Sequence, residues 1–217
     1  MAAMHSRNLT SLDRLLSGLN NALTTLVAPN KQSPRPNPAA TLDAVELGEH
    51  QRVHAAGLMR VNHAGEVAAQ GLYQGHAAVA RDRGVAEQMQ KAADEEFDHL
   101  AWCEQRLDEL GEKPSRLSAI WFAGAFSIGA MSGVLGDKWS LGFIAETERQ
   151  VCDHLDGHLD KLPDEDARSR KIVATMRDEE AAHGENAIQA GAAELPRAVK
   201  TLMRAAAKVM TTTAYRL

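Results

Sequence analysis

Along residues 9–27 the apolar positions Leu9, Leu12, Leu16, Leu19, Leu23 and Leu26 recur at steps of three and four, which places them on one face of a helix. The stretch that follows, APNKQSPRPNPAAT, holds four of the chain's seven prolines and cannot continue that helix, because proline lacks the backbone N–H. Residues 1–42 are therefore predicted to form an amphipathic helix on a stiff Pro-rich linker, ahead of a main domain over residues 43–217. The main body is predicted to start near Thr41, since Thr41 and Asp43 suit N-caps and Glu46 stands three residues beyond Asp43, as in a capping box. Turn signals at RDRG (81–84), LGEKPS (110–115), LGDK (135–138), LPDED (162–166) and AELP (193–196) divide the body into six helical segments, with no strand pair.

Two segments depart from the usual amphipathic pattern. Leu117 to Gly136 is a run of 20 residues without a charge, long enough for a membrane span. A core helix, a dimer interface and a shallow membrane contact are the other readings, and the spacing of small residues in GAMSG (129–133) suits close helix contact in any of them. The last segment carries Arg197, Lys200, Arg204 and Lys208 as a basic stripe opposite Leu202, Ala206, Val209 and Met210. Such a stripe serves as a solvated face and also suits anionic lipid headgroups.

Composition narrows the class. The chain is 44% hydrophobic and only 4% aromatic, the usage of an all-α protein. A net charge of −5 argues against a nucleic-acid partner, which would demand many phosphate-neutralising side chains. Cys103 and Cys152 show neither disulfide nor zinc spacing, which points to a reducing compartment, and both are expected in core packing. Asp13 and Arg14 interrupt the N-terminal leucines, so a secretory signal is not expected.

The candidate chemistry sits where charged residues break apolar seams. In one helix Met89, Ala92, Ala93, Leu100, Cys103, Leu107 and Leu110 define a seam that contains Glu96 and His99, while Glu95 points roughly 100° away, beside Gln88 and Lys91. In a second, Val173, Met176, Ala187 and Ile188 enclose Glu180 and His183. Glu-x-x-His puts a carboxylate and an imidazole one turn apart on one face, within reach of one metal ion. The helix before each pair supplies another inward carboxylate: Glu66 precedes Glu96 by 30 residues and Glu148 precedes Glu180 by 32, whereas Glu146 lies off the seam. Buried salt bridges to Arg60 or Arg177 would also satisfy the glutamates but leave the inward histidines without a purpose. Four carboxylates and two imidazoles facing one bundle form the ligand set of a ferritin-like dimetal site, and mostly oxygen donors favour iron over zinc. His154, His63 and Tyr73 are further candidates, for the surroundings of the ligands or for substrate contact; ordinary core or surface roles stand beside each.

The segments RVNHAGE (60–66), DEEFDHL (94–100), AETERQVCDHL (145–155) and RDEEAAHG (177–184) resemble the demethoxyubiquinone hydroxylases of ubiquinone biosynthesis, membrane-associated diiron monooxygenases. The likeness runs from about residue 50 to the C-terminal YRL and leaves the first 42 residues outside it. It implies that Glu66, Glu96 and His99 serve one iron and Glu148, Glu180 and His183 the other, with Glu96 and Glu180 bridging. Asn62 departs from the family pattern, where Asp is frequent, and is expected to alter hydrogen bonding around the ligands. The resemblance further implies O2 and an external reductant, a polyprenyl quinol substrate and peripheral contact with lipid on the cytoplasmic face of the cell membrane. A homo-oligomer or other ubiquinone-biosynthesis proteins are the protein partners it allows. The competing readings are a ferritin-like iron-storage or ferroxidase protein and a structural membrane adaptor.

Overall fold

The computed structural model describes residues 22, 24–26 and 33–217, so the predicted helix over residues 9–27 falls almost entirely outside the described residues. Six long helices follow: α1 (Glu49–Val79), α2 (Arg83–Glu109), α3 (Ser118–Leu135), α4 (Asp137–Leu159), α5 (Ala167–Gln189) and α6 (Arg197–Ala214). Among the described residues there is no strand, and the all-α expectation holds. The start of the body differs from its prediction. Thr41 lies in a turn, and α1 begins only at Glu49, where the Gln51 side chain accepts from the Gly48 N–H at 3.2 Å. Leu42 and Leu47 both pack onto the core. Five residues apart, they would point in different directions from a helix, so the chain reaches the core in a non-helical course.

Helices α1, α2, α4 and α5 form the bundle, with α1 against α2, α4 against α5, α2 facing α5 and α1 facing α4. Its turns are set locally. Asp82 caps α2 by accepting from the Val85 N–H at 3.0 Å, and Asp166 caps α5 by accepting from Ser169 at 3.0 Å. Two apolar layers fill the interior. One end holds Met59, Trp102, Leu107, Leu155, Ile172 and Met176; the other holds Tyr73, Met89, Ala93, Leu141, Ile144 and Ala187. Each large side chain so buried contributes roughly 1.5–3 kcal/mol. Glu66, Glu96, Glu148 and Glu180 lie between the two layers in sequence on every helix, so the polar level is enclosed from both ends.

Helix α3 lies along α1 at backbone contact. A Cβ on Gly75 would stand 2.3 Å from the Phe126 carbonyl oxygen, and one on Gly129 would stand 2.3 Å from that of Leu72. The small-residue spacing of GAMSG thus serves an intramolecular contact, and any larger residue at Gly75 would force the helices apart. The opposite side of α3 stays bare: Ile120, Met131, Val134 and Leu135 are each more than half exposed. Helix α6 packs against α1 and α4 but leaves Leu202 and Val209 exposed as well, so its apolar face is not fully buried. On the other side of the bundle, residues 33–42 run along α2 and α5. Asn37 donates to Gln105 at 2.7 Å, Ala39 enters the core, and Arg168 donates to the Leu42 carbonyl at 3.1 Å.

Candidate metal centre

The Glu-x-x-His pairs of α2 and α5 meet at the enclosed polar level. The donor atoms of Glu66, Glu96, His99 and Glu180 all lie within 4.8 Å of one another. Glu96 places Oε2 3.0 Å from His99 Nδ1 and Oε1 3.0 Å from His183 Nδ1. Glu180 repeats this, with Oε1 3.0 Å from His99 Nδ1 and Oε2 3.3 Å from His183 Nδ1. Glu66 Oε2 lies 3.8 Å from His99 Nδ1. Glu148 takes a different contact and accepts a hydrogen bond from the Tyr73 hydroxyl at 2.6 Å.

Each Nδ1 therefore faces oxygens of two carboxylates, and one N–H proton cannot satisfy both. Glu96 Oε1 is buried without a well-directed hydrogen bond. A cation at each imidazole would use all of these lone pairs together, which is the sense in which the residues fit a pair of metal ions. One nitrogen and several carboxylate oxygens per position suit iron.

The histidines are held from behind by residues that the seam pattern did not single out. His99 Nε2 donates to Glu179 Oε2 at 2.8 Å and His183 Nε2 donates to Glu95 Oε2 at 2.7 Å. The carboxylate beside each inward glutamate thus crosses to the imidazole of the other half, which leaves Nδ1 free to face the centre. The repeated DEE triplet carried this signal, for its middle residue is duplicated as faithfully as its last.

The alternative ion pairs do not form at this level. Arg60 pairs with Glu112 at 2.9 Å and Arg177 with Asp178 at 3.0 Å, and neither reaches the four inward glutamates. Glu146, which is also buried, belongs to a different network and is held by Arg149 and Gln150.

Without a metal, protons take the cations' place. Burial pushes the Glu66 and Glu148 carboxyls well above the ordinary range, and the charges of Glu96 and Glu180 add to the effect. Burial acts on Glu96 in the same direction, but His99 and His183 outweigh it and hold that carboxyl low. The imidazoles respond in kind. Against the effect of burial, Glu180 and Glu96 push His183 up to about 12, and Glu96 with Glu179 and Glu180 raises His99. The His99 bond holds Glu179 down at about 2, helped by Arg35 and opposed by burial.

One side of this level is open. A cavity of about 710 Å³ runs between α1, α3, α4 and α6, with Glu66, Glu148, Glu180 and Asn62 in its wall. Val61, Leu72, Trp121 and Phe143 supply apolar lining, and Arg204 and Lys208 also border it. His154 lines the cavity too. Its Nε2 has no partner, and burial lowers its pKa so that the ring is neutral. Tyr73 reaches the centre through Glu148, and His63 is buried on α1. Cys103 packs in the core with Sγ 3.7 Å from Met176 Sδ, and Cys152 is half-buried beside the Arg177 carbonyl.

Comparison with known proteins adds independent information. The family model of ubiquinone biosynthesis protein COQ7 matches residues 53–214. A 3-demethoxyubiquinol 3-hydroxylase of Ralstonia pickettii is 56% identical over 217 aligned residues, covering 95% of this chain and 100% of that protein. Proteins of the same name from Dechloromonas aromatica and Chromobacterium violaceum are 53% and 52% identical over 206 residues each, again covering 95% of this chain.

Proposed function

The chain belongs to the family of ubiquinone biosynthesis protein COQ7, and on that premise we propose that it is a diiron monooxygenase that hydroxylates the ring of a polyprenylated demethoxy-ubiquinol. The observation that carries the reading is the cavity of about 710 Å³, which joins an apolar exterior face to three of the inward glutamates. An iron-storage subunit has no use for such a passage. Glu66, Glu96 and His99 would hold one iron and Glu148, Glu180 and His183 the other. Such a pair supplies the activation of O2, with electrons from an external reductant, that ring hydroxylation requires.

The chain's own residues provide the remainder. The apolar walls bind a quinol ring and the first part of its prenyl tail and keep water from the reacting carbon. At the inner end Asn62 and the neutral His154 are polar groups placed to orient the quinol oxygens, and the Tyr73 hydroxyl steadies Glu148. The tail leaves between α3 and α6, whose exposed Ile120, Met131, Leu202 and Val209 suit lipid. The glycine contacts with α1 commit α3 to lie along the bundle. A span would carry Gln70, Gln74 and His76 of α1 into hydrocarbon with it, so the contact is peripheral, on the cytoplasmic face of the cell membrane, with the α6 lysines and arginines toward anionic headgroups.

The test is incubation of iron-loaded protein with demethoxy-ubiquinol in lipid under labelled O2. One labelled oxygen atom in the product is expected, and equal product without O2 would end the monooxygenase reading. A companion variant probes the passage. Gly124 lines the cavity and a Cβ there meets nothing within 4 Å, so a side chain can begin at this position without a clash, and Gly124→Phe places a ring at the passage. It should raise KM for the quinol about tenfold, roughly 1.4 kcal/mol, at unchanged iron content.

A further inference from the structure

The segment read from sequence as a linker contacts the metal centre from the side opposite the cavity. Arg35 Nη1 and Nη2 each donate to one oxygen of Glu179, both at 2.9 Å. The same Glu179 Oε2 receives His99 Nε2 at 2.8 Å. Arg35 is in turn fixed from two further sides: its Nε bonds the carboxylate of Asp98, which Ser33 Oγ also holds at 2.6 Å, and the guanidinium lies 4.8 Å from the Trp102 ring centroid. The Trp102 ring itself packs 5.4 Å from that of His99. Pro34 and Pro36 flank Arg35 and restrict its backbone to extended forms, which lowers the entropy lost in presenting the side chain.

Among the described residues the other half has no counterpart. Behind His183, the cation that Glu95 meets among the described residues is the ammonium of Lys91 at 3.5 Å, on a side chain 80% exposed, where an ion pair contributes little. The forked contact that a guanidinium makes with a carboxylate therefore exists on one side of a duplicated site.

We propose that the N-terminal arm over residues 33–42 is a working part of the metal centre, with Arg35 the positioning residue that fixes Glu179 and thereby aims His99 Nδ1 at its metal position. This rests on the dimetal reading given above. The arm lies outside the residues matched by the family model, 53–214, although the Ralstonia pickettii relative aligns over 95% of this chain. With Arg35 gone, Glu179 has freedom to turn away and the His99 position alone should weaken.

The full chain, stripped of metal and titrated with Co(II), provides the test, read by the visible absorption of each bound equivalent. A His183→Ala background reports the His99 position, and a His99→Ala background reports the other. Arg35→Ala is expected to weaken Co(II) at the His99 position by about tenfold or more, the range for loss of a ligand's hydrogen-bond partner, and to leave the other position unchanged. Arg35→Lys keeps the charge but loses the fork and should show most of the same loss; it carries the comparison if Arg35→Ala does not fold. Equal weakening at both positions, or none at either, would overturn the role of the arm. Failure of the unmutated chain to take up two equivalents would instead overturn the dimetal reading itself.

Discussion

Around His99 the ring is fully buried, Glu179 backs it, and Arg35 forks onto Glu179 while its guanidinium lies over Trp102. Around His183 the side chain retains 10% exposure, its backing Glu95 is about as exposed as Glu179 but has the ammonium of Lys91 in place of a guanidinium fork, and a second hollow of about 260 Å³ bordered by Tyr73, Asn186 and Lys91 adjoins it. The carboxylates that complete each half differ too, for Glu148 carries a hydroxyl donor from Tyr73 while the Glu66 carboxylate meets the other ligands directly. Two copies of one motif thus supply equivalent donor groups, and unlike neighbours make them unequal.

The largest perturbation available removes what the halves share. Glu96 offers one oxygen to each imidazole, so Glu96→Ala should empty both positions, taking iron from about two per chain to near zero. Glu66→Ala touches only the His99 side and should leave about one. Metal analysis of the purified proteins decides it. Retention of one iron by Glu96→Ala would show that the halves are independent sites that happen to be neighbours.

Protons offer the next test, because in the metal-free chain they occupy both halves. His183, raised from 6.5 to about 12, gives stability that is fully present below about pH 6.5, shrinks above it and is gone beyond about 12. His99 is raised in the same direction. Glu66 and Glu148, also raised, keep protons that the unfolded chain has already released, so their sign agrees. The folded metal-free protein should accordingly lose stability between about pH 6.5 and 8.5, by about 1.4 kcal/mol per pH unit for each proton retained. Metal affinity should rise over the same interval as the competing protons leave. Urea titrations of the metal-free protein check the first slope, and a stability that climbs with pH would contradict the proton-filled site. His99→Ala and His183→Ala should flatten the slope equally; unequal flattening would extend the difference between the halves to their protonation.

How far these features were legible in the sequence depends on the range of the contact. The seams that carry Glu66, Glu96, Glu148 and Glu180 stand out because a carboxylate among leucines breaks an apolar period, and that period is local. Gly129 and Gly133 announced a close helix contact, but not that its partner would be α1 of the same chain. Glu95 and Glu179 are duplicated in the DEE triplets, yet the seam pattern passes over them for a stronger reason. Each reads as a solvent-facing position on its own helix, and its purpose lies across the bundle, 88 residues away for Glu95 with His183 and 80 for Glu179 with His99. Arg35 bonds a residue 144 positions later, from a stretch whose prolines signal only that it is not helical. The start of α1 departs from its prediction because the local capping signals at Thr41 and Asp43 lose to the packing of the partly buried Leu42 and Leu47 on the core.

The smallest effect, and the most selective, concerns the one donor that distinguishes Glu148 from Glu66. Tyr73→Phe keeps the buried ring and removes only the hydroxyl that bonds Glu148 at 2.6 Å. That bond favours the ionised carboxylate, the form a metal needs, so its loss should weaken the His183 position and leave the His99 position untouched. The expected size is about 1 kcal/mol, roughly fivefold in affinity, and not more, because Glu148 borders the cavity, where water can replace the lost donor. Co(II) titration in the His99→Ala background measures this directly. A fall at the His99 position instead, read in the His183→Ala background, would mean that Tyr73 acts through the shared carboxylates, and the inequality of the two halves would then have to arise elsewhere than at Glu148.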